Sequence, residues 1–242
     1  MNHLKILWLF LLFHASTGER RKFLTLENSI IFIFFQILGC GQRAFDRVGS
    51  IKKTARIGNS TARIEEFPWM VSITKDGNNF CSGTLISTKH ILTASHCFDR
   101  YHPDDFTVVL GSDNLKNQDY YRIERFIERV FVHPGYKVCC HYFDIAIAEL
   151  DIEVPYDANN PGVTPICLPT EASEDPDHQV GQLVTLAGYG RTPGEKDNPR
   201  LRFATMQIHS QSWCNHKYQD FGSLPRQFQS DIICAGYVVS VI

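Results

Sequence analysis

Residues 70–97 read MVSITKDGNNFCSGTLISTKHILTASHC. Within them MVSITKDG, FCSGTLIS and HILTAS are short runs in which apolar and polar residues alternate, the period of a half-buried strand. Asp76-Gly77-Asn78 supplies turn chemistry between the first two runs. The same grammar continues outward through FTVVLG, FIERVFV, IAIAEL, QLVTLAG and LRFATMQI, with further turns at His133-Pro134-Gly135 and Thr192-Pro193-Gly194. Many short strands at this spacing predict an all-β barrel or sandwich. No internal repeat, long helical pattern or Gly-rich phosphate loop interrupts it.

The composition narrows the class. The 242 residues suit one large domain plus an extension. A chain 43% hydrophobic and 21% charged is neither disordered nor collagen-like. A net charge of −2 with ten histidines offers no basic face, so no nucleic-acid partner is expected. The eight cysteines fall at irregular spacing with no C-x-x-C pair, which argues against a structural zinc module and for disulfides made in an oxidising compartment.

Residues 1–18 read as a secretory signal: Lys5, an unbroken apolar run over residues 6–13, then the small residues Ala15, Ser16, Thr17 and Gly18. A buried N-terminal helix is the competing reading. The run is too short for the roughly 20 residues a bilayer span needs, and no membrane partner is expected. Residues 19–56 read as a pro-segment. Its apolar run over residues 30–38 is either an ordinary part of that segment or a translated intron. Gly18-Glu19 can encode a splice donor, and Leu38-Gly39 can encode an acceptor after a T-rich tract. Residues 19–38 are therefore a candidate retained intron, which the genomic DNA decides. Residues 57–242 form the main domain.

Chemistry concentrates in two places. LTASHC puts His96 beside Cys97 at the end of a strand, and DIAIAEL starts with Asp144. Alone, the first is a structural histidine and the second a turn aspartate. Together with FPWMVSI (67–73), CSGTLIS (81–87), PICLP (165–169), AGYG (187–190) and ICAGY (233–237), their order and spacing resemble the chymotrypsin/trypsin family of serine proteases over residues 40 to 237. The resemblance implies two antiparallel β-barrels with the site in the cleft between them, the second barrel incomplete here. It implies His96 as general base and Asp144 as the buried carboxylate that fixes the imidazole tautomer. An imidazole titrates in the range needed to deprotonate an otherwise inert hydroxyl. Ser95 stands where the family usually has Ala, a small-for-small exchange.

In this family the nucleophilic serine lies in a GDSGGP motif after ICAGY, and no such motif occurs in the 242 residues. Ser240 lacks the flanking glycines and is no substitute. The oxyanion hole and the specificity pocket belong to the same missing segment, so the 242-residue chain is expected to be inactive and poorly soluble. Val239-Ser240 can encode a splice donor, which fits an incomplete transcript.

The resemblance also implies disulfides Cys81–Cys97, Cys214–Cys234 and Cys40–Cys167. Val184 replaces a cysteine of a further family bridge. Cys139 and Cys140 pair elsewhere or remain free thiols, with metal binding alongside His141 as the alternative. No metal site and no cofactor are expected. Ser112 and Asp113 stand where relatives begin a calcium loop with Glu. Zymogen activation would cut Arg56-Ile57, although Ile57-Gly58-Asn59-Ser60 departs from the family's Ile-Val-Gly-Gly and Arg63-Ile64 lies too near Pro68. Asn59-Ser60-Thr61 is a glycosylation sequon, read as unused so close to that terminus. The acidic residues 171–177 suit a solvated loop. The expected function is a secreted, extracellular trypsin-like endopeptidase acting on polypeptides and bound by protease inhibitors. The alternatives are a non-catalytic homologue that binds a protease partner or inhibitor, and a non-functional fragment.

Overall fold

A computed structural model describes residues 40–43, 60–138, 142–155, 160–169, 179–190, 199–219 and 233–236. All belong to one compact unit, Gly39–Ile242. The signal, the intron candidate, Arg56, Ile57, Asn59, Cys139, Cys140, residues 171–177 and Ser240 lie outside the described residues.

Six strands close into a barrel: β2 (Met70–Lys75), β3 (Asn78–Leu85), β4 (His90–Thr93), β5 (Thr107–Leu110), β6 (Ile123–Val132) and β7 (Ala146–Leu150). They pair antiparallel in the order β2-β3-β4-β7-β6-β5. The Asp76-Gly77 turn predicted between the first two runs joins β2 to β3. Both residues have positive φ (52° and 76°), as a two-residue turn matched to strand twist requires. Closure leaves no free edge, and the interior fills with Val71, Ile73, Leu85, Ile91, Leu110 and Leu150, each at most 1% exposed. Gly83 in β3 is a spatial necessity. A Cβ there would stand 2.5 Å from Ile91 Cγ2 and 3.2 Å from the Leu92 carbonyl.

The second, smaller sheet centres on β9 (Arg202–Ile208). β8 (Leu183–Gly188) pairs along one edge, and the two-residue strands β1 (Ser60–Thr61) and β10 (Ala235–Gly236) share the other. Among the described residues it is an open sheet, as the incomplete second barrel implied. A helix not anticipated in the sequence, α1 (Gln211–Gln219), follows β9. The two sheets are joined through Tyr189, whose carbonyl accepts from Asn79 Nδ2 at 2.8 Å, while Asn79 Oδ1 accepts from Ser72 Oγ at 2.7 Å.

Candidate active site

β4 and β7 are antiparallel neighbours whose last pair is Thr93↔Ala146. Past Thr93 the chain leaves the ladder and enters a 3-10 turn, Ser95–Phe98. Asp144 lies two residues ahead of β7. Residues 48 positions apart are thereby delivered to one mouth of the barrel. His96 Nδ1 stands 2.7 Å from Asp144 Oδ2, and the His96 backbone N–H donates to Asp144 Oδ1 at 2.9 Å. With both carboxylate oxygens occupied, the pair is fixed in rotation as well as distance. With a proton on Nδ1, Nε2 is the ring nitrogen that carries the lone pair, and the Cys97 sulfur, bonded to Cys81, stands 3.8 Å from it.

The surroundings refine the expectations. The Asp144 side chain is 23% exposed and that of His96 is 48% exposed, so the carboxylate is not buried as expected. The reason is its position: it sits at a strand mouth and faces a trench of about 740 Å³. That trench is lined by Met70, Gly83, Thr93, Phe143, Ile145 and Ala187 from both sheets. Phe143, immediately before Asp144, has φ 49°, a conformation costly for a bulky residue and of the kind that persists where the surrounding structure imposes it.

Cys81 and Cys97 are bonded, with Cα atoms 6.3 Å apart, and pin the His96 turn to β3. Cys40 is bonded to Cys167 and Cys214 to Cys234. The Cys81 and Cys97 sulfurs and a His96 ring nitrogen lie within 4.8 Å of one another, but sulfurs bonded to each other are not metal-ligand thiolates. Near residue 40, the Gly41 N–H donates to the Pro165 carbonyl at 2.7 Å. Arg43 lies over the rings of Phe67 and Trp69 at 5.4 and 4.9 Å.

Two supports escaped the sequence. Ser95 is 1% exposed, and its hydroxyl donates to the Ile145 carbonyl at 2.7 Å. Tyr136 Oη donates to Asp99 Oδ2 at 2.9 Å, tying the residue that closes the His96 turn to the turn after β6. Burial first, and then the bond to Asp99, push the Tyr136 phenol up to about 12. The sequence signal for it is His133-Pro134-Gly135-Tyr136, a turn with a phenol directly after it. The loop after β5 is held without a Glu. Asp119 Oδ2 accepts from Ser112 Oγ at 2.6 Å, and Arg122 Nη1 donates to the Leu115 and Asn117 carbonyls at 3.1 and 3.3 Å.

Comparison with known proteins gives the family. The family described as Trypsin matches residues 56–240. The chain belongs to the trypsin family. Among trypsin-family relatives, clotting factor C of Tachypleus tridentatus is 29% identical over 195 residues, covering 74% of this chain and 18% of that protein. The suppressor of tumorigenicity 14 protein homolog of Bos taurus is 28% identical over 208 residues, covering 82% of this chain and 22% of that one. The chain thus spans about a fifth of the length of these curated relatives. Among solved trypsin-like folds, neuropsin, a serine protease expressed in the limbic system of mouse brain, superposes with TM-score 0.61 at 24% identity, covering 75% of this chain and 74% of that one. Human heparin binding protein gives 0.59 at 25% identity, covering 75% and 71%. Trypsin-like proteases act on polypeptides and are bound by inhibitors. Among the described residues no helix is long and apolar enough to cross a membrane.

Proposed function

We propose that this chain carries the proton-handling half of a secreted serine endopeptidase. The observation that carries it is the double contact between His96 and Asp144. In this reading His96 Nε2 takes the proton of a serine hydroxyl as that oxygen attacks a peptide carbonyl, then returns it to the departing amine. Asp144 holds Nδ1–H in place and stabilises the imidazolium formed between the two steps. No cofactor takes part. The serine is not among residues 1–242, which contain no GDSGGP motif. Acyl transfer needs such a nucleophile. The signal-like residues 1–18 and the disulfides support secretion. Activation by a cut at Arg56-Ile57 completes the proposal, with Asn59 unglycosylated.

A fluorophosphonate probe, which traps an activated serine, tests this. The 242-residue chain is expected to remain unlabelled and to hydrolyse no Lys or Arg peptide. A chain extended through a GDSGGP-encoding exon is expected to be labelled and active, and His96→Ala in it should lower kcat by about 10⁴-fold or more. Hydrolysis by the extended chain that ignores His96→Ala would overturn the assignment. A second reading is a non-catalytic homologue that binds an inhibitor or protease partner. It gains support if the gene has no such exon and the 242-residue chain still binds a protein inhibitor of serine proteases.

A further inference from the structure

We propose that the Ser95 hydroxyl is a positioning residue for the His96–Asp144 pair, an inference that rests on the proton-handling role assigned above. The ladder between β4 and β7 ends at Thr93↔Ala146, so Asp144 and Ile145 lie beyond its last pair. On the β6 side the segment is still held, by the Val132↔Ala146 pair and the His133 N–H on the Ile145 carbonyl, while on the β4 side the ladder has ended. In the 3-10 turn that follows, the His96 N–H donates to Asp144 Oδ1, and the buried Ser95 hydroxyl adds a second bond. It reaches the Ile145 carbonyl at 2.7 Å, prolonging the ladder by one side-chain bond.

That bond closes a small ring. Ser95 is covalently joined to His96. His96 makes two hydrogen bonds to Asp144. Asp144 is covalently joined to Ile145, and the Ile145 carbonyl returns to Ser95. A backbone shift that carried Asp144 away from the imidazole would strain the Ser95 bond, the His133 N–H bond to the same carbonyl, and the backbone at Phe143, already at φ 49°. The ring matters because the pair is open to solvent, with side-chain exposures of 48% and 23%. Alanine, the usual residue at this place in the family, has no donor to close it. Ser95 touches neither the substrate nor a reacting atom and acts through Asp144.

The Ile145 carbonyl also accepts from the His133 N–H at 3.1 Å, so Ser95→Ala leaves no buried acceptor unpaired and the barrel should fold. The experiment is nuclear magnetic resonance of the oxidised, ¹⁵N-histidine-labelled chain, reading solvent exchange of the His96 Nδ1–H. The intact chain should show a protected Nδ1–H that Asp144→Asn abolishes. Ser95→Ala should speed its exchange about fivefold, the scale of one neutral hydrogen bond, with the amides of Ile91 and Ala148 unchanged. An unchanged rate in Ser95→Ala, with the signal still lost in Asp144→Asn, would sink the ring and leave the His96–Asp144 pair standing. A wild-type signal indifferent to Asp144→Asn would overturn both.

Discussion

Glu149 in β7 is 7% exposed and lies between two cations, Lys89 Nζ at 3.1 Å and Arg129 Nη2 at 2.8 Å. The hydrogen bond from Lys89 first, with that from Arg129 after it, holds its carboxyl below the ordinary value of 4.5 against the opposing effect of burial. A carboxylate lowered in the folded state contributes stability above its unfolded value, and loses it as pH falls through the folded one. Urea midpoints of the intact chain should therefore fall below pH 4.5, and Glu149→Gln should flatten that acid limb. Tyr136 behaves oppositely, since a raised phenol contributes stability that is present below the ordinary value of 10.0 and lost as pH climbs through about 12. In an absorbance titration, Tyr136→Phe should remove one late-ionising tyrosine. His96 and Asp144 were legible as residues because each stands inside a motif of several neighbours. The work of Ser95 was not. A side-chain bond to a carbonyl 50 positions away leaves no trace in a local pattern, so the residue read as a harmless small one.

The loop joining β5 to β6 shows how an element can be cross-linked from within. Gly111, at φ 68°, opens it, and a Cβ there would meet the Tyr121 carbonyl at 2.0 Å. Asp119 gathers the Ser112 hydroxyl and the Asp113 N–H, and the Arg122 guanidinium bridges two carbonyls across the loop. Arg122→Met should cost about 1–3 kcal/mol, since bonds to a charged donor are the stronger kind. The loss would be read as a lower melting temperature, accompanied by faster amide exchange at Leu115 and Asn117. The eight longer strands were each legible from alternation. The helix α1 was not, because QSWCNHKYQ has no apolar stripe. Its start was nevertheless marked. Ser210 Oγ accepts from the Trp213 N–H at 3.2 Å, as an N-cap serine does. The two-residue strands β1 and β10 are made by pairing with β9 and lie below the length at which alternation carries information.

Across the whole molecule the two sheets are unequal. The barrel has every strand paired on both sides. The β9 sheet leaves Leu183 50% exposed and Leu186 61% exposed. Hydrogen exchange should therefore divide the molecule, with Val71, Ile73, Ile91 and Ala148 exchanging near the global limit and the amides of β8 well before them. Uniform protection across both sheets would refute that division. The same exposed leucines, with Val180 at 45% and Ile233 at 69%, predict self-association of the 242-residue chain. Leu186→Lys should raise the concentration at which light scattering appears. Alternation left barrel and sandwich both open, and the family resemblance selected the barrel, whose six strands are consecutive in the chain. The second sheet recruits Ser60–Thr61 from far upstream, and only pairing in three dimensions shows it.

The bond between Cys40 and Cys167 closes a loop of sequence separation 127. Suppose the backbone is cut once anywhere inside that loop. The two products then no longer share a chain, yet they cannot diffuse apart. Their reunion is an intramolecular event, with an effective concentration set by geometry and independent of how far the solution is diluted. Whatever the freed end then binds on the body, it searches for as a tethered ligand. The occupancy of that contact should be the same at nanomolar and micromolar protein, and should become concentration-dependent only after reduction.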